Sequence, residues 1–290
     1  MTDPTAASTT TREAGRRFSS KNLPVYLGIA AIIVYCLLPF YWMAVSSFRR
    51  TNDMFEKSIW PSPVSFENYA AVFEPGQGFG RALLNSLIVA GTTTILALLV
   101  GTVAAYALAR LNFRGKRLLL TSIIATSMFP VVALVVPLLK LFTEIGWINT
   151  YQAMIFPSLS FALPLAVWNL TAFFRQMPAE LEQAAMVDGC TQGQAFRRVI
   201  LPLAAPGVFT TAIITFVIAW NEFLIALTMV NRESMKTAPV AISEFAGASQ
   251  FVTPYGTQMA AGVLMTIPLV ILVLIFQRRI VAGLSSGGVK

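Results

Sequence analysis

The chain has 290 residues, of which 56% are hydrophobic and 12% charged, and its mean hydropathy is +0.69. This composition is typical of polytopic membrane proteins and argues against a soluble domain. The formal net charge of +8 comes from basic residues spread over the polar connections, without a dense basic patch containing interleaved aromatic residues. Nucleic-acid binding is therefore not predicted.

Residues 1–23 are rich in Thr, Ser and Ala with scattered charge, and they predict a mostly disordered tail. The apolar run that follows is too long for a cleavable signal peptide. Residues 24–290 are expected to form one transmembrane domain.

Six apolar segments are long enough to cross a bilayer, since a spanning helix needs about 20 residues. An even number of crossings places both termini on the same side of the membrane. The predicted spans are 24–46, 83–109, 118–139, 150–172, 205–230 and 258–276.

The basic residues give the orientation. If both termini lie on one face, that face carries fourteen Lys and Arg residues and the opposite face carries seven. Because positive charge is enriched on the cytoplasmic side, we predict cytoplasmic termini. By parity, the connection between spans four and five is also cytoplasmic.

Two spans contain pairs of prolines seven residues apart, so that each pair lies on nearly one helical face. Membrane helices tolerate proline through local adjustments, and proline pairs also suit a bent and movable wall of a pathway. The sequence leaves both interpretations open for Pro130 with Pro137 and for Pro157 with Pro164.

Small residues recur every four positions in span two, at Ala97, Gly101 and Ala105. Such a stripe allows another helix to approach closely, and we predict a packing face.

The run Trp220, Asn221 and Glu222 is the strongest polar cluster within a predicted span. A charged group at the bilayer centre costs roughly 2.5–3.5 kcal/mol on insertion scales, so Glu222 should face protein or water. Three roles stay open for Glu222: lining a solute pathway, pairing with a neighbouring subunit, or lying near the outer end of a tilted helix. The three residues are weak candidates for the substrate pathway.

A polar insert separates spans four and five. Pro178 suits a first helical position, and Glu180 and Glu182 suit the early turns of a helix. Gly189 can end that helix, and Thr191 has the spacing of a capping box with Gln194. A second amphipathic helix is expected to run to a proline at position 202. The pattern predicts a helix, a turn and a helix that meet a soluble partner, although an ordinary interfacial loop gives the same periodicity.

The insert resembles the EAA loop of the membrane subunits of ATP-binding-cassette importers. Ala184, Ala185, Gly189, Leu201 and Pro202 stand at the spacing of that motif. The chain departs from the motif at Gln183, where the family usually carries glutamate. The resemblance covers nearly all of the chain after residue 23, and it is nearest to the shorter permease of the maltose-type, carbohydrate-uptake branch.

The resemblance implies an all-α polytopic protein with six transmembrane helices and a cytoplasmic two-helix coupling loop at 173–204, the architecture of a type I importer permease. It implies a bacterial cell membrane location, and as partners a second permease, two ATP-binding subunits and an extracytoplasmic solute-binding protein, besides lipid. No cofactor is expected in this chain, and ATP with Mg²⁺ is expected in the partner subunits. The candidate coupling residues are Glu180, Glu182, Gln183, Ala184, Ala185, Asp188, Gly189, Leu201 and Pro202.

A catalytic role is not predicted. The sequence has no histidine, and its one Gly-Lys pair, Gly115 and Lys116, is followed by Arg117 and does not form a phosphate-binding loop. No nucleophile has a histidine base, and the two cysteines do not make a metal-ligand cluster. The alternatives to an importer permease are a secondary, ion-coupled transporter, for which only Glu222 is available as an intramembrane acid, and a membrane scaffold.

Overall fold

The structure is a computed structural model that describes residues 23–74, 76–245 and 254–286, with side chains as far as Gln277. The predicted N-terminal tail lies outside the described residues except for Leu23. The described part is helical and contains no β-strand. Its α-helices are α1 Leu23–Ser47, α2 Glu67–Val72, α3 Phe79–Arg110, α4 Lys116–Ser127, α5 Val131–Glu144, α6 Tyr151–Gln176, α7 Glu180–Val187, α8 Gln192–Ala195, α9 Leu201–Leu203, α10 Ala205–Trp220, α11 Leu224–Met229, α12 Ala238–Ser243 and α13 Tyr255–Ser286. Short 3₁₀ helices occupy Thr51–Asp53 and Glu233–Met235, and Phe196–Ile200 form a π-helix.

Four of the described helices are long and apolar enough to cross a membrane, namely α1, α3, α6 and the part of α13 up to Gln277. Two bent pairs raise the number to six if each pair is one span. The first pair is α4 with α5, and the second joins Gln192–Leu203 to α10. The predicted all-α fold is confirmed.

The chain divides into two compact units after Met43. The described part of the first unit is α1 up to that residue, and its apolar side chains are exposed, as suits a helix surrounded by lipid. All remaining elements belong to the second unit, whose packing is described below.

Helices α3 and α6 form the centre of the second unit, and α10 packs against both. Ala97, Gly101 and Ala105 are buried in α3, so the predicted packing face is confirmed. A Cβ atom built at Gly101 would lie 3.4 Å from the Cβ of Ala166 in α6. The absence of a side chain at Gly101 therefore lets the two helices approach closely.

Helix α10 approaches α6 still more closely at Gly207. A Cβ atom at this position would lie 2.5 Å from the ring of Phe173, a distance that no packed pair of carbon atoms adopts. Glycine is thus required here by the ring of the neighbouring helix.

Predicted span three is not one continuous helix. Helices α4 and α5 meet at an angle of 86°, and Pro130 stands directly before α5 in an extended conformation. Proline disfavours a helical conformation at the preceding residue and lacks the N–H that would continue the helix, which explains the break. By contrast, Pro157 and Pro164 lie inside the single helix α6. Only one of the two proline pairs marks a sharp bend.

Predicted span five, 205–230, is also interrupted. Helix α10 ends at Trp220, and the chain resumes as α11 from Leu224 to Met229. Position 222 therefore lies between two helices, and the continuous span expected from hydropathy is wrong.

The connection between α1 and α3 is held by the side chain of Arg49, which is 2% exposed. Its guanidinium donates hydrogen bonds to the backbone carbonyls of Glu56 and Ser58. The amide of Asn68, from α2, donates to the carbonyls of Ser47 at 3.0 Å and of Arg49 at 2.7 Å. These bonds fold residues 47–68 into an ordered segment, because they satisfy buried backbone groups that no helix pairs.

The connection between α10 and α13 is fastened to the start of α3. Asn85 is fully buried and donates to the carbonyls of Ser234 at 3.0 Å and of Lys236 at 2.9 Å. The ammonium of Lys236 forms ion pairs with Glu233 and Glu244. Burial alone would lower the pKa of Lys236, but hydrogen bonds and charge attraction from the two carboxylates outweigh it and raise that pKa. Lys236 therefore stays charged throughout the neutral pH range.

Candidate coupling site

The polar insert forms two helical segments joined by a tight turn. Helix α7 runs from Glu180 to Val187, and the second segment runs from Gln192 through the π-helix to Leu203. The helix–turn–helix pattern predicted from the sequence is present. Helix α7 begins slightly later than expected, because Pro178 lies before the N-cap residue Ala179 and is not in the first turn.

The turn has the residues that its geometry requires. Gly189 adopts a φ of +88°, a value that side chains other than glycine rarely adopt. The backbone N–H of Thr191 donates to Gln194 at 2.8 Å, and the N–H of Gln194 donates to the Thr191 hydroxyl at 3.3 Å. This is the predicted capping box, and it fixes the start of the second segment.

The second segment differs from the prediction at its end. Pro202 does not terminate the helix, which continues to Leu203 and then bends by 71° into α10. The ring of a proline clashes with the carbonyl four residues earlier in a regular α-helix, and the π-helix at 196–200 widens the backbone just before it. Leu201 is half-buried and Pro202 is exposed at this junction.

Glu182 points inward. It is 6% exposed, and its Oε1 atom accepts a hydrogen bond of 2.5 Å from the hydroxyl of Tyr106. Its Oε2 atom lies 3.7 Å from Nε of Arg110. Both partners belong to the last turns of α3. A buried carboxylate is tolerated only with such partners, so this contact attaches α7 to α3.

Arg110 also contacts the start of the insert. One terminal nitrogen of its guanidinium donates to the backbone carbonyl of Met177 at 2.7 Å. The ring of Tyr106 lies 4.4 Å from the ring of Phe196 and 6.1 Å from that of Phe174, measured between centroids. The last two turns of α3 thus contact both segments of the insert and the end of α6.

The remaining predicted coupling residues of α7 are divided between two faces. Ala185 is buried, and it lies on the same face of α7 as Glu182, which precedes it by three residues. The opposite face is exposed and combines polar with apolar side chains. It carries Glu180, Leu181, Gln183, Ala184, Met186, Val187 and Asp188.

Glu182, which the sequence placed among the candidate coupling residues, is thus buried against α3 and is not on the exposed face of α7. Sequence reasoning also missed Tyr106 and Arg110 as members of this site. The available signal was a tyrosine and an arginine four residues apart at the end of an apolar span, a spacing that places both on one helical face.

The three candidate pathway residues differ in exposure and in the contacts that they make. Trp220 is 2% exposed and stacks on Phe216 with centroids 5.5 Å apart. Asn221 is exposed, and its amide donates to the carbonyl of Val217 at 2.7 Å. Glu222 accepts hydrogen bonds from backbone N–H groups at the start of α11. Of the three side chains, that of Asn221 is exposed, that of Glu222 is half-buried and that of Trp220 is buried.

Residues 97–286 match the family described as "Binding-protein-dependent transport system inner membrane component". The chain belongs to this family. The protein is therefore a multi-pass inner membrane permease of an ATP-binding-cassette importer, a membrane component distinct from the ATPase.

Sequence relatives of the permease match it over almost its whole length. The trehalose transport system permease protein of Mycobacterium tuberculosis is 48% identical over 259 residues, which are 89% of this chain and 94% of that protein. The trehalose/maltose transport system permease protein of Thermococcus litoralis is 39% identical over 271 residues, which are 93% of this chain and 97% of that one.

Solved structures show the same fold. The crystal structure of a bacterial importer of the acidic polysaccharide alginate matches 90% of the permease and 98% of that chain, with a TM-score of 0.72 and 18% identity. A methionine importer in an inward-facing conformation matches 71% of the permease and 95% of that chain, with a TM-score of 0.55 and 18% identity.

Proposed function

We propose that the permease forms the membrane pathway for a disaccharide-sized sugar, with trehalose and maltose as the first candidates. The observation that supports this most directly is the 48% identity to a trehalose transport system permease over 89% of the chain. A second relative, 39% identical, is named for both trehalose and maltose transport. We propose Trp220, Asn221 and Glu222 as candidate residues of the solute pathway.

We further propose that α7 docks an ATPase subunit through its exposed face. That face combines apolar side chains, including Val187 at 87% exposure, with the polar groups of Glu180, Gln183 and Asp188. Ala184 lies among them, and its small side chain allows close approach to a groove. A mixed, exposed helix face is suited to a protein partner, because apolar groups gain from burial and the polar groups form a rim. The neutral amide of Gln183 makes this contact without the charge usual in the family.

The complete importer in this proposal contains a second permease, two ATP-binding subunits that hold ATP with Mg²⁺, and an extracytoplasmic solute-binding protein. Both termini of this chain and the insert 173–204 lie in the cytoplasm, as the fourteen against seven distribution of basic residues supports. The tail 1–23 precedes a permease domain that begins at residue 24.

The mechanism follows from how the insert is attached. Closure of the ATP-bound subunits displaces α7, and the displacement passes to α6 through residues 177–179. It passes to α10 through Gly189 and the second segment, which contains Leu201 and Pro202 near its end. The 71° bend at Ala204 joins that segment to α10, and the contact of Gly207 with Phe173 joins α10 to α6. The solute cavity then alternates between inward-facing and outward-facing states.

The docking proposal is tested with Ala184→Asp, which places a charge at the centre of the exposed face. Affinity-tagged chain is purified in mild detergent from its native membrane, and the proteins recovered with it are identified by mass spectrometry. We expect the wild type to recover both an ATPase and a second permease. The Ala184→Asp variant should still recover the second permease but not the ATPase. The matched control is Ala70→Asp, at an exposed position of α2. Recovery of the ATPase with Ala184→Asp at the wild-type level would contradict docking through α7.

The solute proposal is tested by uptake of radiolabelled trehalose and maltose in a deletion strain carrying the wild-type chain. Uptake should require ATP and should persist when the membrane potential is collapsed. Uptake that follows the membrane potential would indicate a secondary transporter, and growth on both sugars without the chain would contradict the sugar assignment.

A further inference from the structure

Helix α7 carries one acidic residue that is buried while its neighbours are exposed. Glu182 is 6% exposed, whereas Glu180 and Gln183 on either side are exposed. A carboxylate removed from water is unfavourable unless charge and hydrogen bonds compensate for the lost hydration. The burial of this single acid therefore requires specific partners and fixes the rotation of α7 about its own axis.

The partners come from α3, which is not adjacent to α7 in the chain. Tyr106 donates its hydroxyl hydrogen to Oε1 of Glu182, and Nε of Arg110 lies 3.7 Å from Oε2. Arg110 also donates to the carbonyl of Met177 at 2.7 Å. Residues 106 and 110 are one helical turn apart, so both reach α7 from the same face of α3.

We propose that Glu182 is a positioning residue that fastens α7 to the cytoplasmic end of α3, so that displacement of α7 by the ATPase reaches α3 directly. Chain connectivity gives α7 routes only to α6 and α10, and the contact with Tyr106 and Arg110 supplies the third. The inference rests on the proposed docking of the ATPase to α7.

The packing of α3 explains what this third attachment does. Helix α3 is in contact with both α6 and α10, and its residues Ala97 and Ala105 are fully buried. When α7 and α3 move as one body, the three helices keep their packing while the cavity switches. Without the contact, α7 is attached to α3 only indirectly, through Phe196 of the second segment and through Met177, so that less of its displacement reaches α3 and more ATP is hydrolysed without transport.

The first test uses two variants that each remove one part of the contact with minimal change of shape, the hydrogen bond from Tyr106 or the charge that faces Arg110. Tyr106→Phe deletes one oxygen and keeps the ring contact with Phe196, while Glu182→Gln removes the charge. The purified complex is reconstituted in proteoliposomes with its solute-binding protein, and trehalose uptake and ATP hydrolysis are measured together. We expect the ATPase to co-purify at the wild-type level, and trehalose imported per ATP hydrolysed to fall about tenfold, because a hydrogen bond to a charged group is lost.

Matched controls make the same chemical changes elsewhere. Tyr35→Phe alters an exposed tyrosine of α1, and Glu144→Gln alters an exposed acid at the end of α5. Both should keep the wild-type ratio of import to hydrolysis. The inference is overturned if Tyr106→Phe keeps that ratio, or if import and hydrolysis fall in the same proportion, as they would for a role in stability alone.

A second measurement does not depend on the identity of the solute. Cys36 and Cys190 are replaced by serine, and spin labels are attached at Asn112→Cys, just after α3, and at Gly193→Cys, in α8. Asn112 is exposed, and a Cβ atom at Gly193 has open space. Distances between the labels are compared in the nucleotide-free and the ATP–vanadate-trapped complex.

We expect one narrow distance distribution that is the same in both states with Glu182 present, and a distribution that broadens or shifts with Glu182→Gln. A distance that already changes between states with Glu182 present would overturn the inference. The docking proposal fails in a different experiment. If α7 does not dock the ATPase, the Ala184→Asp variant still co-purifies with the ATPase at the wild-type level.

Discussion

The carboxylate of Glu222 accepts a hydrogen bond of 2.7 Å from the backbone N–H of Ile225. Its second oxygen accepts one of 3.0 Å from the N–H of Ala226. These two donors belong to the first turn of α11, where backbone N–H groups lack partners within the helix. The side chain therefore caps the helix that resumes after the break at Trp220, which gives this acid a structural reason to lie between two apolar helices.

We predict that Glu222→Ala destabilises the permease by about 1–2 kcal/mol, because two N–H groups lose their acceptor. Glu222→Gln should cost less, since the amide oxygen retains one of these bonds. The measurement is the melting temperature of the purified complex, with Glu144→Ala as control. If Gln proved as harmful as Ala for sugar uptake while the melting temperature stayed unchanged, the charge itself would be required and a pathway role would be favoured.

Arg49 offers a second prediction. Arg49→Lys retains the charge but replaces two terminal nitrogens, each of which donates to one of the carbonyls of Glu56 and Ser58, with a single ammonium nitrogen on a shorter reach that does not match this geometry. Losing these bonds in a buried site should cost about 2 kcal/mol. Trypsin cleavage within residues 50–66 should then accelerate about tenfold or more, because local opening becomes easier.

The control for this experiment is Arg50→Lys, a change of the same type at the neighbouring exposed position. It keeps a trypsin site and should leave the rate near that of the wild type. Equal rates for both variants would show that the buried guanidinium does not hold the segment.

The contact between Gly207 and Phe173 gives a third prediction. Gly207→Ala should destabilise the permease by about 1–3 kcal/mol, because the new methyl group overlaps the ring. Phe173→Leu should partly restore the melting temperature of the double variant. The matched control is Gly91→Ala in α3, where a Cβ atom meets no neighbour within 4 Å and should be neutral or stabilising. A melting temperature unaffected by Gly207→Ala would contradict the close approach of α10 to α6.

The turn of the insert gives a fourth prediction. Gly189→Ala should cost about 1–2 kcal/mol, because φ is +88° and an L side chain is strained there. Gly189→Asn should cost less, because asparagine tolerates the left-handed region better. Thermal unfolding of the purified chain measures both, and Gly193→Ala is the control within a helical conformation. Equal melting temperatures for Ala and Asn at position 189 would argue that the turn relaxes.

The sequence predicted most of the coupling segment because its signals are local. A positive φ at Gly189 and the capping box of Thr191 with Gln194 depend on residues within a few positions, and both are present. The all-α fold followed from apolar runs of spanning length, which depend on composition alone.

Hydropathy did not predict where the spans are interrupted. Hydropathy averages over about twenty residues and does not register where a helix stops, so the end of α10 at Trp220 was missed, and the 86° break at Pro130 was left as one of two open interpretations of the proline pair. The break at position 130 had a signal in its proline. The end of α10 had none, because Asn221 and Glu222 are compatible with a continuing helix.

The sequence by itself determined that this protein is a helical membrane protein with a polar helix–turn–helix insert, because apolar length, charge distribution and turn residues are properties of short stretches of chain. Tertiary structure alone decided which face of α7 is buried. Glu182 lies 76 positions from Tyr106 in the chain, and the two side chains meet only because α3 and α6 pack together through small residues. A long-range contact of this kind is fixed by the packing of whole helices, so no local pattern around either residue specifies it.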